Sequence, residues 1–130
     1  MGDGEWVTLP IGKARREESG IVYVLIEKHD PAPGENWTES TMAVIDQLKA
    51  ALVPDGPAPM LIDALGLEWI DRDSRKVFAR SDHATARAIV ARSAAARATA
   101  GALATVDHPV IPTEVFSNET EARAWLEQFL

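Results

Sequence analysis

The sequence MLIDALGLEWIDRDSRKVFA, residues 60–79, decides the fold of this 130-residue chain. It begins as an apolar run that ends at Asp63, turns at a glycine and becomes polar after Asp71. Short apolar runs are typical of strands covered on both faces, and polar residues commonly cap a helix that follows. The stretch therefore predicts a strand over 60–65, a loop, and a helix over 73–80.

The same strand-to-helix pattern recurs on both sides of this stretch. Apolar and β-branched runs predict further strands over 5–10, 20–26, 86–92 and 110–116, although the alanines of 86–92 suit a helix equally well. Spacings of three and four residues and capping side chains predict helices over 38–52, over 93–105 with Ser93 as N-cap, and from Ser117 or Asn118 to the end. In the first of these helices, the predicted apolar stripe consists of Met42, Ile45, Leu48 and Leu52. The charged residues 13–19 are expected to form a solvated loop.

The predicted element order is β-β-α-β-α-β-α-β-α. Strand-helix-strand units in one sheet favour right-handed crossovers with helices packed over it. The fold class is thus α/β, with a mixed sheet of about five strands in one domain spanning 1–130. Residues 1–19 are expected to be a weakly ordered N-terminal strand followed by the charged loop.

The amino-acid composition argues against several classes of function. A net charge of -7 disfavours nucleic acid as a partner, and the absence of cysteine excludes disulfides, cysteine-ligated metals and thiol catalysis. No apolar run approaches the roughly 18 residues of a membrane span, and no signal peptide is evident. These features predict a cytoplasmic protein with no membrane span.

Two segments resemble a known family. The segment 60–71, MLIDALGLEWID, resembles the stretch of STAS domains, the anti-anti-sigma-factor family, that runs from an apolar strand through Asp and Leu to Ile-Asp. The closing segment 112–126, PTEVFSNETEARAWL, is similar to uncharacterised bacterial STAS/SEC14-like domains. The resemblance covers about residues 20–130, and it implies a STAS-like fold and a non-enzymatic, regulatory function exerted through protein interaction.

The chain departs from this family at the position of its switch. In anti-anti-sigma factors the serine directly after Ile-Asp is phosphorylated, which releases a partner kinase. Here Arg72 and Asp73 follow Asp71, and Ser74 and Arg75 come next. Because a shift of two helical positions turns a side chain by about 200°, the phosphoserine position is not retained.

The residues Asp71 to Arg75 nevertheless remain candidates for partner interaction. Helix capping explains Asp71, Asp73 and Ser74 without any function. Alternatively, Asp73 supplies a permanent negative charge where the family places a phosphate, or Ser74 is a displaced modification site. The expected partner is another protein or a second copy of the chain, as in a homodimer.

Candidate ligand-pocket residues lie where strands are predicted to end, namely His29, Asp63 and Ser93, with Arg97 one helical turn further on. Ligands of open α/β sheets commonly bind at that edge, so the alternative function is a small-molecule or lipid-binding SEC14-like module that takes a small apolar or anionic ligand. A hydrolase that uses the trio His29, Asp63 and Ser93 is the least favoured possibility, because no Gly-x-Ser-x-Gly motif accompanies Ser93. The three histidines lack metal-ligand spacing, and no cofactor motif is present, so neither a metal nor a cofactor is expected.

The two leading functions make different structural demands. A SEC14-like module needs a continuous apolar pocket between helices and sheet that is large enough for an acyl chain. An interaction domain needs a filled core and an exposed apolar patch.

Overall fold

In the part of the chain that the structure describes, a mixed six-stranded sheet is flanked by four α-helices. The computed structural model describes residues 2–27, 36–65 and 72–130. In chain order the elements are β1 (Val7–Leu9), β2 (Gly12–Arg16), β3 (Val22–Ile26), α1 (Trp37–Leu52), β4 (Ala58–Asp63), α2 (Arg72–Arg80), β5 (Ala84–Val90), α3 (Ala94–Thr105), β6 (Thr113–Phe116) and α4 (Glu119–Leu126), followed by a 3-10 turn over Glu127–Phe129. The predicted α/β class is confirmed.

The strands lie in the sheet in the same order as in the chain, from β1 to β6. The pairs β1–β2 and β2–β3 are antiparallel, whereas β3 to β6 run parallel. Each parallel connection steps toward the same edge of the sheet. Right-handed crossovers that step in one direction place their helices on one face, and α1, α2 and α3 do share a face.

That arrangement creates two cores, one on each side of the sheet. The larger core joins Val24, Met60 and Ile89 of the strands to Leu48 of α1, Ala79 of α2, and Ala96, Ala100 and Leu103 of α3. The smaller core joins Leu61, Ala86, Ala88 and Val90 to Ala122 and Leu126 of α4. Because β4 and β5 are covered on both faces, they contain apolar runs without alternation.

The prediction of a solvated loop over 13–19 is wrong for its first half, because β2 occupies Gly12–Arg16. Ala14 is fully buried in the larger core, while Lys13 and Arg15 point to the opposite face and lie over the ring of Trp6. A single small residue marks the buried side of this strand. The charged side chains therefore concealed its period of two, and the sheet has six strands instead of about five.

Most other elements lie within a few residues of their predicted positions. The segment that suited either a helix or a strand forms β5, over Ala84–Val90. Ser93 caps α3 and Asn118 caps α4, each accepting a backbone N–H three residues on, which confirms Ser93 as N-cap and selects Asn118 over Ser117. None of the described helices combines the length and the apolar character required to cross a bilayer.

Candidate functional site

The first turn of α2 carries the candidate interaction residues that the structure describes. Arg72 and Asp73 are exposed, whereas Ser74 is fully buried. Arg75 Nε donates to Asp107 Oδ2 over 2.9 Å, and this carboxylate lies just beyond the end of α3. Of the five candidates, Arg72 and Asp73 thus face solvent, whereas Ser74 and Arg75 pack inward. Asp71 lies outside the described residues.

A groove separates α2 from α1 on the outer surface. Met42, Ile45 and Val77 contribute its apolar lining, and its volume is about 290 Å³. Charged side chains of both signs border it: Asp46 and Lys49 from α1, Arg80 from the end of α2, and Asp82 just after it.

Met42 was expected in the buried stripe of its helix, and that expectation is wrong. Its side chain is 51% exposed. The spacing of Met42, Ile45 and Leu48 predicts a single apolar stripe, but the buried face of α1 is centred on Val44, Ile45 and Leu48. Met42 therefore lies at the margin of the buried face.

Beneath the same helices lies an apolar cavity of about 80 Å³. Val24, Ile62 and Ile89 form its floor, and Ala96 and Ala100 of α3 form part of its roof. Small side chains on α3 contribute to this space, because an alanine fills less volume than a larger apolar residue would. The cavity is roughly half the size of an engineered cavity of about 150 Å³ that binds benzene. It is too small for an acyl chain in this conformation.

Asp63, a predicted pocket residue, lies on the other face of the sheet and does not line this cavity. Its Oδ2 accepts from the Tyr23 hydroxyl over 3.1 Å, and its Oδ1 accepts from Arg92 over 2.9 Å. Burial, together with the negative charge of Asp63, raises the pKa of Tyr23 to about 12. The hydrogen bond with the same carboxylate raises the pKa of Arg92. Asp63 thus has two side-chain partners.

Ser93 and Arg97 also have structural roles. The Ser93 hydroxyl accepts the N–H of Ala96 over 3.0 Å, and Arg97 donates to the carbonyl of Arg92 over 2.7 Å. Within the described residues, no hydrogen bond links Ser93 to Asp63. His29 lies outside those residues. Asp63 and Ser93, the two members of the suggested hydrolase trio that the structure describes, are therefore not joined to each other.

The end of α2 holds a buried cation, Arg87, that was not predicted from the sequence. Arg87 is completely buried and donates to the carbonyls of Phe78, Ala79 and Ser81 over 2.5, 3.3 and 3.2 Å. Two of these carbonyls belong to the last turn of α2 and the third follows it, so the guanidinium adds donors at a helix end, where the carbonyls have few intrahelical partners. Burial lowers the pKa of Arg87 to about 10. An arginine amid alanines and β-branched residues was the sequence signal for this role.

His83 lies beside this cation. It is 3% exposed and packs edge-on against Phe78, with 6.4 Å between ring centres. Neither ring nitrogen has a hydrogen-bond partner within the described structure. Burial and the positive charges of Arg87 and Lys49 lower the pKa of His83 to about 4. Across the described ranges, no group of three or more acidic, histidine or cysteine side chains is arranged to hold a metal ion.

These features define an α/β domain with a mixed sheet, an exposed groove on one helical layer and a small cavity beneath it. A family model covers residues 18–130, and the chain belongs to that family, DUF7793, described as a domain of unknown function. No curated protein and no solved structure gives a significant match.

Proposed function

We propose that this chain is a STAS-like, non-enzymatic interaction domain that binds a protein partner through the outer face of α1 and α2. The resemblance of 60–71 and 112–126 to STAS sequences supports the assignment. The alternation of strand and helix from β3 to α4 agrees with it. The proposed surface combines the exposed first turn of α2 with the groove that is bordered by Arg80 and Asp82.

The exposure of Met42 is the observation that carries the proposal. Large apolar side chains that lie in a groove with a charged rim are typical of protein-binding surfaces, where the apolar centre supplies most of the affinity. Methionine also adapts its shape readily to a partner. Charges of both signs at the rim would select the orientation of that partner.

The α2 residues suggest how this surface differs from the anti-anti-sigma switch. Ser74 is fully buried, so a kinase would have to open the helix to reach its hydroxyl. Asp73 is exposed in the first turn, where a negative charge also stabilises the helix by about 0.5 kcal/mol. We therefore assign the permanent charge of Asp73, and not a phosphoserine, to partner recognition.

Affinity capture with matched variants tests the proposal. The bait proteins are the wild type, Asp73→Arg and Met42→Lys, and Glu121→Arg is the control because Glu121 is exposed in the first turn of α4. A lysate of the native host is used, and recovered proteins are quantified by mass spectrometry. We expect a set of proteins that both α1–α2 variants lose by about tenfold and that the control retains.

Circular dichroism verifies that all four proteins are folded. Equal recovery by all baits would contradict the proposed surface. If the wild type self-associates and both α1–α2 variants are monomeric while the control is not, the partner is a second copy of the chain.

The apolar cavity favours a second candidate, a module that binds a small apolar ligand. Its lining comes from α1, α2, α3 and the central strands, so a bound ligand would be enclosed by the larger core. A volume of about 80 Å³ suits a small apolar molecule, and a lipid would require the helices to move apart. Xenon titration followed by NMR tests accessibility, and native mass spectrometry of freshly purified protein tests for a retained lipid.

A further inference from the structure

The free edge of β6 is the strongest remaining surface feature. β6 is the last strand of the sheet and pairs with β5 alone among the described strands. The backbone N–H groups of Arg87 and Ala91 donate to the carbonyls of Pro112 and Phe116 over 2.8 and 2.9 Å, respectively. Because successive residues of a strand direct their backbone groups to opposite edges, the N–H and C=O groups of Thr113 and Val115 point away from β5.

An open groove of about 530 Å³ accompanies this edge. Ala104 and Thr105 of α3 line one side, and Trp125 of α4 lines the other. Val106 and Val110, in the segment that leads from α3 toward β6, are 67% and 59% exposed. The edge therefore offers unpaired backbone groups between two walls, as required for the addition of an extended peptide as a new strand.

The charge of Glu114 indicates which kind of peptide would bind at the β6 edge. Glu114 is exposed and has no ion-pair partner among the residues that the structure describes. It shares a sheet face with Phe116, whose ring lies 5.8 Å from that of Trp125. A lysine or arginine placed opposite Glu114 would pair with this carboxylate and lie near the half-buried indole.

The same charge disfavours a second copy of the chain. Two copies could pair antiparallel through β6 about a two-fold axis. The outward backbone groups of Thr113 would then meet those of Val115 in the other copy, and Glu114 of one copy would lie opposite Glu114 of the other. Like charges directly opposite each other across strands are destabilising. Glu114 thus acts against self-pairing and in favour of a basic strand.

We propose that the β6 edge binds an extended peptide segment of a partner protein by antiparallel strand addition, with a basic residue opposite Glu114. This surface uses other residues than the α1–α2 groove and does not depend on the function proposed for that groove. Thr113 and Val115 each exchange backbone hydrogen bonds with the peptide residues on either side of the basic one.

The probe is the peptide acetyl-Gly-Thr-Val-Lys-Val-Thr-Gly-amide, titrated into isotope-labelled protein and followed by NMR. Its matched partner contains Glu in place of Lys. We expect the lysine peptide to bind about tenfold more tightly. The amide signals of Thr113 and Val115 and the indole signal of Trp125 should shift. N-methylation of both valines should abolish binding, because their N–H groups face β6.

Charge reversal completes the test. Glu114→Lys should reverse the preference toward the glutamate peptide, whereas Glu121→Lys, which reverses an exposed charge on α4, should preserve it. Asp73→Arg should also preserve it, which separates this proposal from the α1–α2 surface. Shifts elsewhere on the protein, equal binding of both peptides, or a dimer formed through β6 without peptide would each overturn the proposal.

Discussion

At the scale of single residues, Arg87 and His83 show how a buried polar pair can be tolerated without a carboxylate between them. The two terminal guanidinium nitrogens of Arg87 donate to three carbonyls at the end of α2, whereas Nε has no partner among the described residues, and Phe78 lies under the guanidinium at 4.6 Å. His83 packs beside it in the neutral form, because a second positive charge would be buried next to the first. The packing at the end of α2 thus requires a charged Arg87 and a neutral His83.

This arrangement predicts a pH dependence of stability. The pKa of His83 is near 4 in the folded protein and about 6.5 when unfolded, so the unfolded state binds more protons between these values. The contribution of neutral His83 is complete above pH 6.5 and is lost as pH falls toward 4. We expect a loss of about 3 kcal/mol of unfolding free energy from this group.

Urea titrations at several pH values measure this loss. His83→Leu should flatten the dependence over this range, whereas the exposed His108→Gln serves as control and should retain it. An unchanged pH profile in His83→Leu would show that other groups cause the acid sensitivity.

At the scale of elements, sequence patterns predicted helices and covered strands better than they predicted the N-terminal hairpin. Capping residues and long periodic stripes define α1, α3 and α4, and apolar runs define β3 and β4. β2 escaped prediction because one face of it is open and charged. Its start, Gly12, lies so close to β3 that a Cβ would overlap the Leu25 carbonyl oxygen, a constraint that becomes visible only after pairing.

The candidate site illustrates the same limit. The exposure of Asp73 and the cap at Ser93 follow from local position on a helix, and both were predictable. The burial of Ser74 and the bonds of Asp63 to Tyr23 and Arg92 depend on which face of the sheet each helix covers. Residue spacing alone does not determine that choice.

Helix α3 allows a test of whether the cavity beneath it is void space or a ligand site. Ala100 lines the cavity and is 6% exposed. Ala100→Val should stabilise an empty cavity by about 1 kcal/mol, because the added methyl groups fill it, and should abolish xenon binding. Thermal unfolding and xenon NMR measure the two effects. Ala98→Val, on the exposed side of α3, is the control for the change in helix propensity.

Destabilisation of Ala100→Val without any change in xenon binding would contradict this interpretation. The added groups would then be overpacking a filled core.

At the scale of the whole molecule, the two cores share one sheet, so neither should unfold alone. Leu126 is fully buried in the smaller core, and Leu126→Ala should cost about 3 kcal/mol. Denaturant unfolding followed by circular dichroism and by tryptophan fluorescence should still give coincident, single transitions at a lower midpoint. Leu130→Ala, at a 59% exposed position, should leave the midpoint nearly unchanged. Separate transitions in Leu126→Ala would indicate that the cores are independent.

The mixed α/β sheet was the most predictable global property, whereas the order of the strands within the sheet was not predicted. Alternating strands and helices with short connections favour neighbouring parallel strands, and β3 to β6 follow this rule. The division of helices between the faces was harder to predict, because α4 follows the last strand and no later strand constrains its side. Only its contacts with Leu61 and Val90 place it opposite the other helices.

The position of α4 also matters while the chain folds. The larger core is built from residues up to Leu103, with Ile111 and Val115 packed against it, so it contains no residue of α4. Until Glu119–Leu126 packs against the sheet, the opposite side of β4 and β5 lacks its cover. A folding intermediate that forms the larger core first therefore exposes an apolar sheet face, which is the kind of surface that chaperones bind and that promotes aggregation.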